Sequence, residues 1–352
     1  MSDQFILTST LVVLLKRNLY GHPLAGLIWE KFCHKAILAA GFERILGWEC
    51  LCVHRKARPF LSVYVDDFKL VGIEKNLAKG WKLMEQSGLQ LDPPTPLGDY
   101  LGCGQFPINI APEAAAERIR HTRSLIEPSY DGECPPPGAP DNAVPYDMFG
   151  FFDQCIECYC ELAKVPRASL KKAKTPTIDN TQLKQSDLDE AGAFTGSAAK
   201  VLMKILYGAR LVRYDLLWAV NSLAREVTKW TRACDKRLYK LVCYLNSTND
   251  LSLECFLGDR PEHCHVVNYT DADFAGDRVG LKSTTGGYIA VVGPNTFVPI
   301  TAVCKKQTCV SHSSTESEIV AAELTVRTEG LQALTFWDHA VRLVCAMPRK
   351  RG

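Results

Sequence analysis

The sequence predicts an α+β protein, and three stretches carry that prediction. Phe60–Gly72 alternates apolar and smaller residues on both sides of a short acidic interruption, which indicates two strands joined by a tight turn. Residues 197–248 repeat Leu, Val and Trp at three- and four-residue steps, as amphipathic helices do. From Val266 onward, short β-rich runs with Gly-Gly and Gly-Pro turns precede one more helix. We therefore expect a hairpin, a helical middle region and a mixed sheet with helices, in that order.

The composition is that of a folded and nearly neutral protein. At 352 residues the chain is long enough for two or three domains of ordinary size. Apolar residues make up 47% and charged residues 23%, values that argue against wholesale disorder, collagen and coiled coil. The 41 basic and 39 acidic side chains leave a formal charge of +2, so no general positive field attracts polyanions. Any binding of nucleic acid must therefore rest on local surfaces.

The cysteines and the first residues bear on localisation. The 15 cysteines are spread through long segments, which is typical of free thiols in an intracellular protein, and we expect the cytoplasm or the nucleus. The apolar stretch Phe5–Leu15 is too short to span a bilayer. Its leader Met1–Gln4 lacks positive charge and no small-residue cleavage site follows. We therefore expect neither a signal peptide nor a membrane partner.

Between the hairpin and the helical region the composition changes repeatedly. Residues 112–127 are rich in Ala and charged side chains and predict a helix. Glu133–Pro145 is rich in proline, and we expect neither a helix nor a central strand there. Residues 146–165 indicate a short amphipathic segment, and the polar residues 171–192 indicate a loop or linker.

Two adjacent acids, Asp66 and Asp67, stand where the predicted hairpin turns. Hairpin turns favour Asn-Gly or Asp-Gly, whereas this turn has two like charges and no glycine. Such a pair is unfavourable unless a cation neutralises it, and Mg²⁺ binds carboxylate oxygens together with substrate phosphates. Two such ions can activate an attacking hydroxyl group in phosphoryl transfer. The alternative is a solvated acidic turn without a ligand.

A second set of acids lies near the C-terminal end of the sequence. His265–Asp277 predicts a strand that ends in several acids, and a helix is expected to begin near Thr315, which fits a capping box with Glu318. Asp271 would then lie at a strand end, and Glu316 in the first turn of that helix. Carboxylates from separate elements can converge on metal ions. The alternative is a turn Asp and a Glu that complements the helix dipole.

The same helix should bury an apolar stripe, and the helical middle region carries two weaker signals. The residues predicted to form the stripe are Ile319, Ala322, Val326 and Ala333. Basic residues of the middle region could follow a phosphate backbone or form a solvated helix face: Arg210, Arg213, Arg225, Lys229, Arg232, Lys236, Arg237 and Lys240. Cys155, Cys158 and Cys160 suggest a metal cluster, but without a second matching pair we favour helix packing.

The acidic hairpin resembles a known family. FLSVYVDDFKLVG is similar to the Tyr-x-Asp-Asp box of reverse transcriptases, in the Tyr-Val-Asp-Asp form of copia-type retrotransposon polyproteins. Upstream, LYGHPLAGLIWEKF resembles the family's Leu-Tyr-Gly stretch followed by Trp, near the template and incoming nucleotide. The resemblance implies that Asp66 and Asp67 bind the catalytic metal, with Tyr64 beside them. It also implies that Tyr20 and Gly21 belong to the substrate-facing loop.

The C-terminal motifs resemble the ribonuclease H domain that follows copia-type reverse transcriptases. The motifs occur in the family's order: YTDADFAGD, KSTTGGY and SSTESE. The resemblance makes Asp271 the first catalytic metal ligand and Glu316 the second. Asp273 and Glu318 are the runners-up, with Glu318 interpreted mainly as a helix cap. Residues 198–248 resemble the helical connection between the two enzymatic domains.

The resemblance implies a function and a domain organisation. RNA-directed DNA synthesis would take place at Asp66 and Asp67, and hydrolysis of hybrid RNA at Asp271 and Glu316, both as Mg²⁺-dependent phosphoryl transfer. The implied partners are RNA, DNA, deoxynucleotides and other parts of a Pol polyprotein. The implied parts are an unmatched N-terminal segment (1–16), a partial polymerase palm (17–110), a helix and Pro-rich linker (111–145), a helical connection (146–250) and an incomplete ribonuclease-H-like domain (251–345).

Each implied site lacks an acid that the family has. The polymerase site of the family needs another Asp upstream, and Asp3 is the only acid before Leu19. The ribonuclease site needs an Asp on a strand beyond the last helix, and no Asp follows Asp338. We therefore expect a chain truncated at both ends, so that enzymatic activity is uncertain. The alternative function is a catalytically dead relic that at most binds nucleic acid, and a zinc-dependent module is a third hypothesis.

Overall fold

The computed structural model describes residues 21–126, 142–277 and 280–345. The chain divides into two compact units, Met1–Pro94 and Thr95–Gly352. Helices and antiparallel strands occur in both units, which confirms the predicted α+β class. The prediction of a mixed sheet was wrong, because all pairs between described strands of the larger sheet are antiparallel. The predicted boundary at residue 110 falls within the second unit, and the apolar stretch Phe5–Leu15 lies outside the described residues.

The first unit is an antiparallel sheet covered by helices. Its elements are α1 (Ala25–Ala39), β1 (Glu43–Ile45), β2 (Trp48–Val53), β3 (Phe60–Tyr64), β4 (Asp67–Val71) and α2 (Glu74–Gln86). The four strands pair in sequence order, and β3 and β4 form the predicted hairpin. Phe42, Leu61 and Met84 are buried between the sheet and the helices. This small core supports the acidic turn.

The second unit combines a larger sheet with most of the helices. Its strands are β5 (Gly104–Gln105), β6 (Ile108–Asn109), β7 (Asn142–Asp147), β8 (Leu253–Phe256), β9 (His265–Asp273), β10 (Thr284–Gly293) and β11 (Thr296–Lys306). Its helices are α3 (Pro112–Ile126), α4 (Phe149–Ala163), α5 (Gln185–Asp189), α6 (Ala198–Leu211), α7 (Leu217–Ala224), α8 (Arg232–Ser247), α9 (Ser314–Thr325) and α10 (Leu331–Cys345). The strand order is β5-β7-β8-β11-β10-β9, with β6 paired to β7, so β9 is an edge strand.

Strand β7 contradicts the prediction that no central strand occurs in the Pro-rich segment. It lies inside the sheet, and Pro145 pairs with Glu254 of β8. On its other side, β6 pairs with residues 142–143 and β5 with residues 146–147, so no strand faces Pro145 there. A proline lacks the N–H that a continuous ladder needs, and this interruption makes the proline compatible with a central position.

The helical middle region has the predicted character. Helices α4, α6, α7 and α8 share one apolar core, in which Leu202, Ile205 and Leu238 are fully buried. Cys155, Cys158 and Cys160 are buried in the same core. Burial raises the pKa of the Cys155 thiol to about 12, so this thiol stays protonated near neutral pH. The contacts favour packing, and the described residues contain no group of three or more metal-ligating side chains.

Helix α9 buries a different face from the predicted one. Ile319 is 64% exposed and Val326 is 42% exposed, whereas Ala333 is buried as predicted. The face that packs on β9 and β10 consists of small residues: Ser317, Ala321 and Thr325. The predicted stripe was wrong because the helix lies close to a glycine in β10, where large side chains do not fit. A π-helical turn, Val326–Gly330, then connects α9 to α10.

None of the helices within the described ranges combines the length and the apolar character that crossing a bilayer requires.

Candidate functional site

The acidic hairpin has a strained two-residue turn. Tyr64 pairs with Asp67, so Val65 and Asp66 form the turn between β3 and β4. Val65 has a φ of 55°, in the left-handed region that a β-branched residue rarely adopts. Such strain persists only where neighbouring contacts hold the backbone in place.

An indole from α1 supplies one such contact. Nε1 of Trp29 donates a hydrogen bond to the carbonyl oxygen of Val65 at 2.7 Å. The Trp29 ring also packs against the core of the first unit. The helix therefore fixes the carbonyl orientation at the turn and helps to stabilise its conformation. The sequence motif contained this tryptophan, but only the packing of α1 against the hairpin shows what its N–H does.

The two carboxylates of the turn project into solvent. Asp66 and Asp67 are exposed, and within the described part of the chain neither carboxylate has a hydrogen bond or ion pair. Tyr64 beside them is 53% exposed. Gly21 is exposed with a φ of 87°, and Tyr20 lies outside the described residues. Two unneutralised carboxylates are hard oxygen donors of the kind that Mg²⁺ accepts, with water and phosphate as the remaining ligands. They are a partial donor set that fits the ion.

The second predicted acid, Asp271, lies on edge strand β9. It is exposed and pairs with Gly286 of β10. A Cβ atom built on Gly286 would meet only the Asp271 carbonyl oxygen, at 3.6 Å, so the sheet surface is open here. Asp273 differs, because its carboxylate accepts a hydrogen bond from the Thr284 N–H.

Glu316 lies at the N-terminus of α9 and takes the capping role that was predicted for Glu318. The N-cap is Ser313, whose hydroxyl accepts a hydrogen bond from the Glu316 N–H at 3.1 Å. Oε2 of Glu316 accepts a hydrogen bond from the His312 N–H at 2.7 Å, which lowers the pKa of this carboxyl group. The predicted cap of Thr315 with Glu318 was therefore wrong by two residues. Within the described part of the chain, the Glu318 side chain has no hydrogen bond.

The sheet separates Asp271 from α9. A Cβ atom on Gly287 would meet Thr325 of α9 at 2.5 Å, so Gly287 faces that helix. Gly287 pairs with Thr270, and directly opposed residues share one face of a sheet. Because side chains alternate along a strand, Asp271 lies on the opposite face from α9. The structure therefore does not bring Asp271 together with Glu316, and their assignment as joint metal ligands stays a prediction.

Several of the predicted phosphate-binding residues make contacts within the protein. The Arg213 guanidinium group is buried and binds Asp215. Arg232 pairs with Glu190, and Lys236 pairs with Asp187. The exposed members of the predicted set are Arg210, Arg225, Lys229 and Arg232. Sequence periodicity could not show the ion pairs of Arg232 and Lys236, because Glu190 and Asp187 lie more than 40 residues earlier, at α5.

Similar proteins are known in yeast and tobacco. Over 354 residues and 97% of its length, the chain is 24% identical to the transposon Ty1-DR6 Gag-Pol polyprotein of Saccharomyces cerevisiae. It is 24% identical over 90% of its length to the transposon TyH3 Gag-Pol polyprotein of the same species. It is 30% identical over 45% of its length to the retrovirus-related Pol polyprotein from transposon TNT 1-94 of Nicotiana tabacum. The homologues are copia-type retrotransposon polyproteins.

The copia-type relatives are much longer than this chain. The matched region spans 18%, 16% and 12% of the three relatives, so the chain corresponds to a limited part of such a polyprotein. No protein-family model matches the chain, and no solved structure matches it. The homology confirms the predicted relation to copia-type Pol polyproteins.

Proposed function

We propose that this part of a retroelement polyprotein contributes to RNA-directed DNA synthesis through its first unit. The observation that carries the proposal is the β3–β4 turn, where two exposed carboxylates sit on a strained backbone held by Trp29. A two-residue hairpin turn takes a positive φ with or without a bound metal, so the support comes from the two adjacent carboxylates, which have no ion pair within the described part of the chain. Copia-type homology supports the same assignment.

In this proposal Asp66 and Asp67 hold Mg²⁺ beside a nucleic-acid strand. The bound ion would neutralise charge on the phosphates of a deoxynucleotide and favour ionisation of the attacking hydroxyl group. Tyr64 and Gly21 would contact the substrate, and Trp29 would keep the turn in place. The substrates would be RNA, DNA and deoxynucleotides, and other parts of the Pol polyprotein would supply further acids. The second unit would comprise the helical connection and a ribonuclease-H-like sheet.

Metal binding tests the proposal without requiring polymerase activity. Mn²⁺ can replace Mg²⁺ as a paramagnetic probe of oxygen ligands, and water-proton relaxation measures how much of it is bound. We expect that the double variant Asp66→Asn, Asp67→Asn weakens Mn²⁺ binding at least about tenfold, since both anionic ligands are lost.

The matched control is Asp92→Asn, which removes an exposed acid of the same unit. This control should bind Mn²⁺ as the unsubstituted chain does. Equal affinities for the double variant and the control would show that the turn is only solvated, and would overturn the proposal.

A second candidate function is nucleic-acid binding without catalysis. The described residues contain no group of three or more side chains able to hold a metal ion. In addition, Asp271 and α9 lie on opposite faces of the sheet, and Glu316 is engaged as a cap. Within the described residues, the donors near Asp271 therefore do not come together as a metal site, and we derive no hydrolytic step there.

The expected result with an RNA–DNA hybrid follows from that geometry. The purified chain should cleave the RNA strand weakly or not at all in the presence of Mg²⁺. Gel analysis of an end-labelled RNA strand measures the cleavage. Robust cleavage that the variant Asp271→Asn abolishes would contradict the expectation and would show that Asp271 belongs to a working hydrolytic site.

A further inference from the structure

Helix α7 presents an aromatic and basic surface beside the open side of the sheet. Trp218 is 49% exposed, although most of the large apolar residues around it on α7 are buried. Arg225 is the C-cap residue of α7, seven residues after Trp218, and Lys229 ends the short 3-10 turn Val227–Lys229 that follows the helix; both are exposed. Positions seven residues apart share one side of a helix, about 10 Å apart along its axis. Trp218, Arg225 and Lys229 are called the α7 surface below.

The cations of the α7 surface are not used by the fold. Within the described ranges, neither Arg225 nor Lys229 has an ion pair, in contrast to Arg213 and Arg232. Glu226 is exposed between these two cations, just beyond the end of α7, and two cations against one acid still leave a net positive charge. The α7 surface is therefore positively charged and free to meet an anion.

Helix α7 lies against the sheet at β11, next to the surface of β10 and β9. Asn221 lies on the same side of α7 and its Nδ2 donates a hydrogen bond to the Cys304 carbonyl oxygen at 3.0 Å. Cys304 of β11 pairs with Gly286, and Gly286 pairs with Asp271. The Cys304 side chain packs against the helical core, so this row of residues faces α7. The open space over Gly286 thus separates α7 from Asp271 by two strand spacings, about 10 Å.

The charges across this space orient a polyanion. The α7 side is cationic, and the β9 side carries the exposed carboxylate of Asp271. A phosphate backbone is attracted to the first and repelled by the second. An exposed indole next to cations is suited to an unpaired base, because any base can stack on it, whereas bases in a duplex are already stacked.

We propose that the α7 surface binds single-stranded nucleic acid, with a base stacked on Trp218 and phosphates at Arg225 and Lys229. This inference rests on the proposed function only in that the chain handles nucleic acid, and it assigns residues that neither acidic site uses. The strand runs along α7, and its backbone keeps away from the carboxylate edge of β9.

Fluorescence anisotropy with a labelled oligodeoxythymidine tests this site on the full chain. Trp218→Ala should weaken binding by about 5- to 100-fold, the range found for loss of one stacked base, and Trp218→Phe should retain most of the affinity. Arg225→Ser should reduce the slope of log affinity against log salt by about 0.7, as expected for one lost phosphate contact with a single strand.

The controls are exposed residues away from the α7 surface. Ile319→Ala removes an exposed apolar side chain from α9, on the other face of the sheet, and Arg260→Ser removes an exposed positive charge. Both should leave affinity and salt slope unchanged. Because Trp218 is exposed, circular dichroism should show an intact fold for its variants.

The possible outcomes separate the two proposals. If the unsubstituted chain binds but Trp218→Ala and Arg225→Ser behave like the controls, the α7 surface is not the site, while nucleic-acid handling stands. If Trp218→Ala lowers the affinity for an RNA–DNA hybrid as much as the affinity for the single strand, the proposal that an unpaired base stacks on Trp218 is overturned. If the unsubstituted chain binds neither probe, the proposal for the α7 surface is overturned, whereas the Mn²⁺ measurement still decides the proposal for the acidic turn. Affinity that does not change with salt would exclude the phosphate contacts.

Discussion

Replacing Arg213 with methionine is expected to lower the free energy of unfolding of the second unit by about 3 kcal/mol. The guanidinium group donates to both carboxylate oxygens of Asp215, at 2.9 and 2.8 Å, and to the Thr248 carbonyl oxygen at 2.7 Å. Its Cζ lies 5.9 Å from the ring centre of Phe152 and 5.7 Å from that of Tyr244. Methionine fills much of the space but leaves Thr248 without its donor and Asp215 without its cation.

Urea unfolding followed by circular dichroism measures this loss. The matched control is Arg210→Met, because Arg210 is exposed in the last turn of α6 and should change stability by less than about 0.5 kcal/mol. Arg213→Lys keeps the charge but lacks the planar fork, so we expect an intermediate loss. Equal stabilities for the two methionine variants would show that Arg213 does not stabilise the fold.

Replacing Gly287 with alanine is expected to cost about 2 kcal/mol, whereas the same change at Gly286 should be nearly neutral. At Gly287 the new methyl group would approach the Thr325 side chain to 2.5 Å. Thr325 is fully buried and its hydroxyl donates to the Ala321 carbonyl oxygen at 2.9 Å, so it cannot easily move away. At Gly286 the methyl group meets only ordinary contact distances.

A double-mutant cycle identifies the cause of the loss at Gly287. Thr325→Ala removes the two atoms closest to the added methyl group, so the double variant should be about 1 kcal/mol more stable than the sum of the single changes. Thermal or urea unfolding gives the four free energies. If Gly286→Ala were destabilised and Gly287→Ala were not, α9 would have to pack on the face of the sheet that carries Gly286. Asp271 would then lie on the same face as α9.

Local patterns in the sequence predicted the elements that local residues determine. The alternation around Asp66 and Asp67 gave the β3–β4 hairpin, and the three- and four-residue steps gave α6, α7 and α8. The helix over residues 112–127 was predicted to within one residue of α3. In each case the signal and the structure involve the same short stretch.

Contacts between distant residues decided what the sequence did not predict. Pro145 is acceptable in β7 because of the gap between β5 and β6, and Ser317 and Thr325 are buried because a glycine of β10 lies beneath α9. Hydrophobic periodicity instead favoured Ile319 and Val326, which are exposed.

In the candidate site, too, local patterns were predictable from the sequence and contacts between distant residues were not. The position of Asp66 and Asp67 in a turn was predictable from the alternating pattern, but the hydrogen bond from Trp29 depends on how α1 packs. The burial of Arg213 likewise depends on Asp215 and Thr248, and the basic character of the segment gave no sign of it.

The pairing of β7 with β8 has a consequence during synthesis of the chain. Val144 and its partner Cys255 are separated by 111 residues, and the strands nearest the edge opposite β9 all precede the helical region. A nascent chain therefore leaves the ribosome with β5 and β6 available to pair with β7, but the opposite side of β7 has no partner until β8 emerges. Closing such a long loop costs entropy before any strand contact compensates for it, which slows folding. The helical core can form first, and it then holds the two ends of the loop close together for the sheet to assemble.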